Sequence, residues 1–92
     1  MRILLVEDDE LLADGLVKAL RQSGYVTDWT RDGKQADSWL TDQNYDLAIL
    51  DLGLPGMEGS EVLQRLRGRK LATPVLILSA REALEERVRL LD

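Results

Sequence analysis

The chain has no cysteine and no histidine. Without cysteine, disulfides and thiolate metal sites are excluded, in keeping with a reducing compartment. Without histidine, the commonest general base and zinc ligand is missing. No apolar stretch approaches the ~20 residues of a membrane span, and Met1-Arg2 leads straight into a strand pattern rather than a signal peptide. Positive charge is also short. Twelve Lys and Arg face 17 Asp and Glu, and the net charge of −5 argues against this segment gripping nucleic acid by itself. What remains is 92 residues, 45% hydrophobic and 32% charged, the balance of one small folded domain rather than a disordered or fibrous chain. A chain of this size is expected to bury about 60–65% of its unfolded surface.

Two apolar runs stop on carboxylates. Ile3-Leu4-Leu5-Val6 meets Glu7-Asp8-Asp9, and Leu47-Ala48-Ile49-Leu50 meets Asp51. Short branched-aliphatic runs with polar ends read as strands buried in a parallel sheet. Ligands of such sheets bind outside the carboxyl ends of the strands. If the two strands are neighbours, Glu7, Asp8 and Asp51 converge on one crevice. Like charges so crowded coexist around a cation or with raised pKa values. The arrangement asks for a metal.

Strand and helix patterns alternate along the chain. Residues 2–7 read as a first strand. Glu10 to Gln22 reads as a helix with Leu12, Leu16, Ala19 and Leu20 at helical spacing, ended by Gly24. Tyr25 to Thr30 reads as a shorter, less buried strand. Asp32-Gly33 is a turn signal before a helix to about Asn44 that buries Ala36, Trp39 and Leu40. Residues 46–51 form the third strand, followed by a breaker-rich loop over 52–59. Ser60 is expected to cap a helix through about Arg67, with Val62, Leu63 and Leu66 inward. Val75 to Ser79 reads as a fourth strand, and Glu82 to Leu91 as an amphipathic helix carrying Leu84, Val88 and Leu91. Such alternation means βαβ units in a mostly parallel α/β sheet.

Magnesium binds through one or two carboxylates plus waters and phosphate oxygens. Asp8, Asp51 and the backbone carbonyl of Gly53 could supply such a partial shell, and a carboxylate can also act as a nucleophile toward phosphorus. Ser79 would set a hydroxyl beside the same crevice, with small Ala80 leaving access.

These residues carry a family likeness. Ile3-Leu4-Leu5-Val6-Glu7-Asp8-Asp9, the run Tyr45 to Gly59 around Asp51, and Pro74-Val75-Leu76-Ile77-Leu78-Ser79-Ala80 resemble, in this order, the receiver domain of two-component response regulators. The resemblance extends over the whole chain, and the three segments together are highly specific. With Ala80-Arg81 and Glu86-Arg87-Val88, the wording looks most like the OmpR/PhoB class of winged-helix transcription factors, and within it PmrA/QseB-type regulators. The resemblance implies a doubly wound, flavodoxin-like receiver fold with strand order 2-1-3-4-5. It implies that Asp51 is the phosphoacceptor, that Glu7, Asp8, Asp51 and the Gly53 carbonyl form the Mg²⁺ pocket, and that Ser79 is the switch hydroxyl. The implied reaction is transfer of a phosphoryl group from the phosphohistidine of a sensor histidine kinase, or from a small acyl phosphate, to Asp51. The resemblance further implies a domain that catalyses only its own phosphorylation and dephosphorylation, in the cytoplasm, without a membrane partner. DNA would be bound through an output domain outside residues 1–92, and the parent would be a homodimer.

One departure stands out. Receivers of this family continue into a fifth strand and helix that carry a phosphate-contacting lysine, and neither Lys34 nor Lys70 stands where it could replace that lysine. Residues 1–92 are therefore expected to be a receiver truncated before its fifth strand. The isolated chain is expected to associate or swap elements through an open fourth-strand edge.

Blander roles account for other polar and aromatic residues. Asp9 and Glu10 read as helix cap and first-turn acid, Trp29 and Trp39 as packing residues, and Asp46 as serving the turn before its strand. Arg65, Arg67, Arg69 and Lys70 read as a solvated helix end. Other function classes fit less well. A haloacid-dehalogenase-like phosphohydrolase needs a second Asp two residues after its nucleophile, where this chain has Gly53. A dinucleotide-binding module needs a Gly-rich loop after its first strand, where this chain has three acids that would repel a pyrophosphate. A degenerate receiver acting only as an interaction module would not need the full Glu7, Asp8, Asp51 and Ser79 set.

Overall fold

Alternating side chains of two buried strands supply both cores of the molecule. The computed structural model describes residues 1–51, 54 and 57–78. Its elements are β1 (Arg2–Val6), α1 (Glu10–Gln22), β2 (Val26–Thr30), α2 (Gly33–Asp42), β3 (Leu47–Asp51), α3 (Gly59–Gly68) and β4 (Val75–Leu78). All pairs are parallel, in the order β2-β1-β3-β4. This is the order expected, as far as the described strands extend. Along a strand, successive side chains point to opposite faces. Leu4, Val6, Ala48 and Leu50 accordingly join Ala36 and Leu40 of α2 and Val62 and Leu66 of α3 in one core. Ile3, Leu5 and Ile49 join Ala13 and Val17 of α1 in the other. Helices on both faces leave the strand ends as the place where polar groups can gather. Among the described residues, no helix is long and apolar enough to cross a membrane.

The helix starts follow local chemistry. The Asp9 side chain accepts from Leu12 N at 3.1 Å, and Asp32 accepts from Lys34 N at 2.9 Å, each occupying an amide that has no partner within its helix. After α1, Gly24 takes φ +90°, a left-handed conformation that glycine adopts without penalty and that turns the chain into β2.

Several expectations need correction. The inward stripe of α1 is Ala13, Leu16, Val17 and Leu20, whereas Leu12 and Ala19 are exposed. The helix presents positions i, i+3, i+4 and i+7 to the sheet, and the Leu11-Leu12 pair had drawn the predicted stripe one residue aside. Ser60 lies inside α3 instead of capping it; Glu58 precedes the helix and makes no side-chain cap. The basic end of α3 is not merely solvated. Arg69 grips Asp37 of α2 with two bonds of 2.7 and 3.0 Å, and Arg65 reaches Asp37 at 3.8 Å and Glu61 at 3.3 Å. Arg67 donates to the carbonyls of Leu71 and Thr73. Lys34 lies in the first turn of α2, and Lys70 follows α3 at φ 60°. The final helix predicted over Glu82 to Leu91 lies outside the described residues, as does the end of the fourth strand at Ser79.

At the amino-terminal end of the sheet a polar pin fastens the strands. Arg2 donates to Asp28 at 2.8 Å, also bonds Gln43, and lies over the Tyr45 ring at 5.0 Å. The Tyr45 hydroxyl donates to Asp28 at 2.7 Å. Burial opposes the Asp28 charge, but bonds from Tyr45 and Arg2 outweigh it and hold the carboxyl below its usual range. Asp46 accepts from Arg2 N at 2.6 Å, so it ties β3 to β1 rather than serving its own turn.

Two substitutions test this packing. Asp37 is held below its usual pKa chiefly by the bond from Arg69, so its stabilising contribution is present above the unfolded value near 3.8 and is lost as pH falls further. Asp37→Ala should lower stability by about 1–2 kcal/mol at neutral pH, as a two-bonded, largely buried carboxylate warrants. Gly15 of α1 has open space around it, and Gly15→Ala should raise stability by about 0.5–1 kcal/mol. Urea unfolding midpoints check both, and opposite signs would contradict the packing described.

Candidate functional site

Register brings the acids together. Val6 of β1 pairs with Leu50 of β3, so the next residue of each strand, Glu7 and Asp51, emerge side by side at the carboxyl end of the sheet. Carboxylate oxygens of Glu7, Asp8 and Asp51 lie within 4.8 Å of one another. Glu7 and Asp51 are buried and Asp8 is half-buried. The sequence-derived convergence of these three residues is therefore present. Gly53 and Ser79, the other two expected site residues, lie outside the described residues.

The backbone around the cluster is firmly held. Glu7 N donates to Thr30 O at 3.1 Å, and Asp9 N donates to Glu7 Oε1 at 3.1 Å. Trp29 Nε1 donates to the Glu7 carbonyl at 2.9 Å, so this indole positions the first acid in addition to packing against α1 and β1. Asp9 caps α1, as expected, and so stands apart from the acidic cluster. Arg31 was not anticipated. Its guanidinium donates to the Asp8 carbonyl at 3.3 Å and lies 3.7 Å from the Glu10 carboxylate. The available signal was its place directly after β2, on the rim that the acids share.

Burial pushes the Glu7 carboxyl up to about 7, and the nearby Asp51 and Asp8 charges add to the shift, against the opposing bond from Asp9 N. Glu7 therefore gives up its proton less readily than an ordinary carboxyl. The donor set is all oxygen, from carboxylates, which suits a hard divalent ion such as Mg²⁺ and not a thiolate- or imidazole-seeking metal. These residues fit Mg²⁺.

The sign of the pH effect follows. A carboxyl raised from 4.5 to about 7 on folding keeps its proton in the folded chain while the unfolded chain loses it. Without metal, stability should therefore fall as pH rises from the unfolded value through about 7. Glu7→Gln should remove this part of the slope. Unfolding midpoints in chelator at several pH values check it, and identical slopes in wild type and variant would contradict it.

A family model described as "Response regulator receiver domain" matches residues 3–92. The chain is 50% identical over 88 residues to the transcriptional regulatory protein QseB of Escherichia coli O157:H7, covering 96% of this chain and 40% of that protein. It is 47% identical over 92 residues to the response regulator protein PmrA of Pseudomonas aeruginosa, covering 100% of this chain and 42% of that protein. It therefore spans about two fifths of the length of these relatives. Among solved structures, it resembles the receiver domain of the sensor histidine kinase PA1611 from Pseudomonas aeruginosa PAO1. The identity is 31% and the TM-score 0.83, with 95% of this chain and 73% of that chain covered. That structure is described as having a magnesium ion coordinated in its active-site cleft.

Proposed function

Because the chain belongs to the response regulator receiver domain family, we propose that residues 1–92 form a phosphoacceptor module whose accepting residue is Asp51. The observation that carries the reading is the meeting of Glu7, Asp8 and Asp51 at the carboxyl ends of β1 and β3. An oxygen of the ionised Asp51 carboxylate would attack the phosphorus in line. A P–O bond forms to Asp51 while the donor's N–P bond, in a kinase phosphohistidine, or O–P bond, in an acyl phosphate, breaks. The leaving group departs with the bonding pair. The product is an aspartyl phosphate.

Asp8 and Asp51, with the Gly53 carbonyl, would hold Mg²⁺, and Glu7 would complete the acidic pocket. When bound, Mg²⁺ offsets the charge of the phosphoryl oxygens, which is most of what this reaction asks of a protein. The remaining work belongs to the chain. Trp29 and Thr30 fix the Glu7 backbone, and Asp51 is held in register by β1. Ser79 is proposed as the hydroxyl that turns toward the aspartyl phosphate. The module's chemistry is confined to its own phosphorylation and dephosphorylation.

For the protein as a whole, the same reading makes a sensor histidine kinase the phosphoryl donor and the cytoplasm its place. It makes a DNA-binding output domain, outside residues 1–92, the element that responds. The names of the relatives, which are transcriptional regulators, support that part.

Incubation of the full-length protein with acetyl phosphate and Mg²⁺, followed by intact-mass measurement, tests the central step. One phosphoryl group should be added to wild type and none to Asp51→Asn. Equal labelling of Asp51→Asn would place the acceptor elsewhere. Separately, Asp8→Asn should remain folded yet lose the Mg²⁺-induced amide shifts at the carboxyl ends of β1 and β3; shifts that persist unchanged would remove Asp8 from the ligand set.

A further inference from the structure

Gly33, buried at the start of α2, allows an approach that no other residue could. A Cβ placed there would lie 1.9 Å from the carbonyl oxygen of Met57, 2.8 Å from its carbonyl carbon and 2.9 Å from its Cβ. The obstacle is mainly backbone, which cannot swing aside as a flexible side chain can. The contrast is with Gly15 and Gly68, also helical, which meet nothing within 4 Å.

Met57 belongs to the connection between Asp51 and α3. Its side chain and that of Leu54 are buried in the core formed by Ala36 and Leu40 of α2 and Val62 and Leu66 of α3. Among its described residues the connection thus has the apolar anchors Leu54 and Met57, and Gly33 is the backbone seat. The other side of the same turn reaches the first acid. Asp32 N donates to Thr30 Oγ1 at 3.2 Å, and the Thr30 carbonyl accepts from Glu7 N at 3.1 Å. The segment Thr30 to Gly33 therefore touches both Glu7 and the connection that follows Asp51. Beyond it, the Asp37–Arg69 pair ties α2 to the end of α3.

We propose that the Thr30–Gly33 turn is a positioning element for the acidic cluster, in which Gly33 seats the Met57 carbonyl and so holds the turn whose Thr30 carbonyl fixes Glu7 beside Asp8 and Asp51. The proposal rests on the reading of that cluster as a Mg²⁺ site. Gly33 touches no ligand and is a positioning residue. If it served packing alone, its substitution would lower stability and leave the Mg²⁺ affinity of the folded protein intact. If it positions the cluster, affinity falls as well. Residues behind metal ligands commonly change affinity by about 10–100-fold.

Isothermal titration with MgCl₂ of the full-length protein separates these outcomes, with urea unfolding to verify that each variant is folded. Gly33→Ala should bind Mg²⁺ at least about tenfold more weakly than wild type, and Gly68→Ala should bind as wild type does. A folded Gly33→Ala with unchanged affinity overturns the proposal. If Gly33→Ala does not fold, Met57→Ala decides, because it removes the anchor that holds the carbonyl on its seat: weakened Mg²⁺ binding supports the proposal, and unchanged binding overturns it. Wild type that binds no Mg²⁺ would overturn the metal-site reading and the inference with it, a result distinct from normal wild-type binding with an unaffected variant.

Discussion

Three carboxylates held with oxygens within 4.8 Å repel one another, and everything distinctive about this domain depends on keeping them there. The restraint comes from the parallel pairing of β1 with β3. Ile3, Leu4, Leu5 and Val6 on one strand and Leu50 on the other are almost completely buried. Full burial of one such side chain is worth about 1.5–3 kcal/mol. The apolar runs therefore fix strand position, and strand position fixes where Glu7 and Asp51 emerge. A slip of one residue would turn every side chain to the opposite face, so the register is not negotiable.

The strain that remains is chemically useful. Two buried acids side by side cannot both ionise freely in a low-dielectric setting, and Glu7 responds by holding its proton up to about 7. A divalent cation would relieve the same repulsion, so proton and metal are alternatives at one site. The polar pin of Arg2, Asp28 and Tyr45 at the opposite end of the sheet carries its own compensation within the protein. The acidic cluster lies at the carboxyl end, where open α/β sheets bind their ligands.

Much of this was legible in the sequence because its signals were local and redundant. The runs before Glu7 and Asp51 gave the strands, their neighbourhood and the convergence of the acids. Asp9, Gly24 and Asp32 marked helix ends through capping chemistry. What escaped was set by tertiary contacts. The Leu11-Leu12 pair blurred which stripe of α1 faces the sheet, since composition alone does not say which leucine is spared burial. Arg65 and Arg69 looked like a solvated end because their partner Asp37 lies about thirty residues away in another helix. Gly33 read as a turn residue, and only the arrival of Met57 against it shows why a side chain is forbidden there.

The proposed role of the β1–β3 pairing is to build a divalent-cation site on Asp8 and Asp51. A crystal grown with Mn²⁺, a spectroscopically visible substitute for Mg²⁺, addresses it directly through anomalous scattering. A single strong anomalous peak is expected within bonding distance of a carboxylate oxygen of Asp8 and of one of Asp51. A map with no peak at the acidic cluster, or with its peak on other residues, would contradict it.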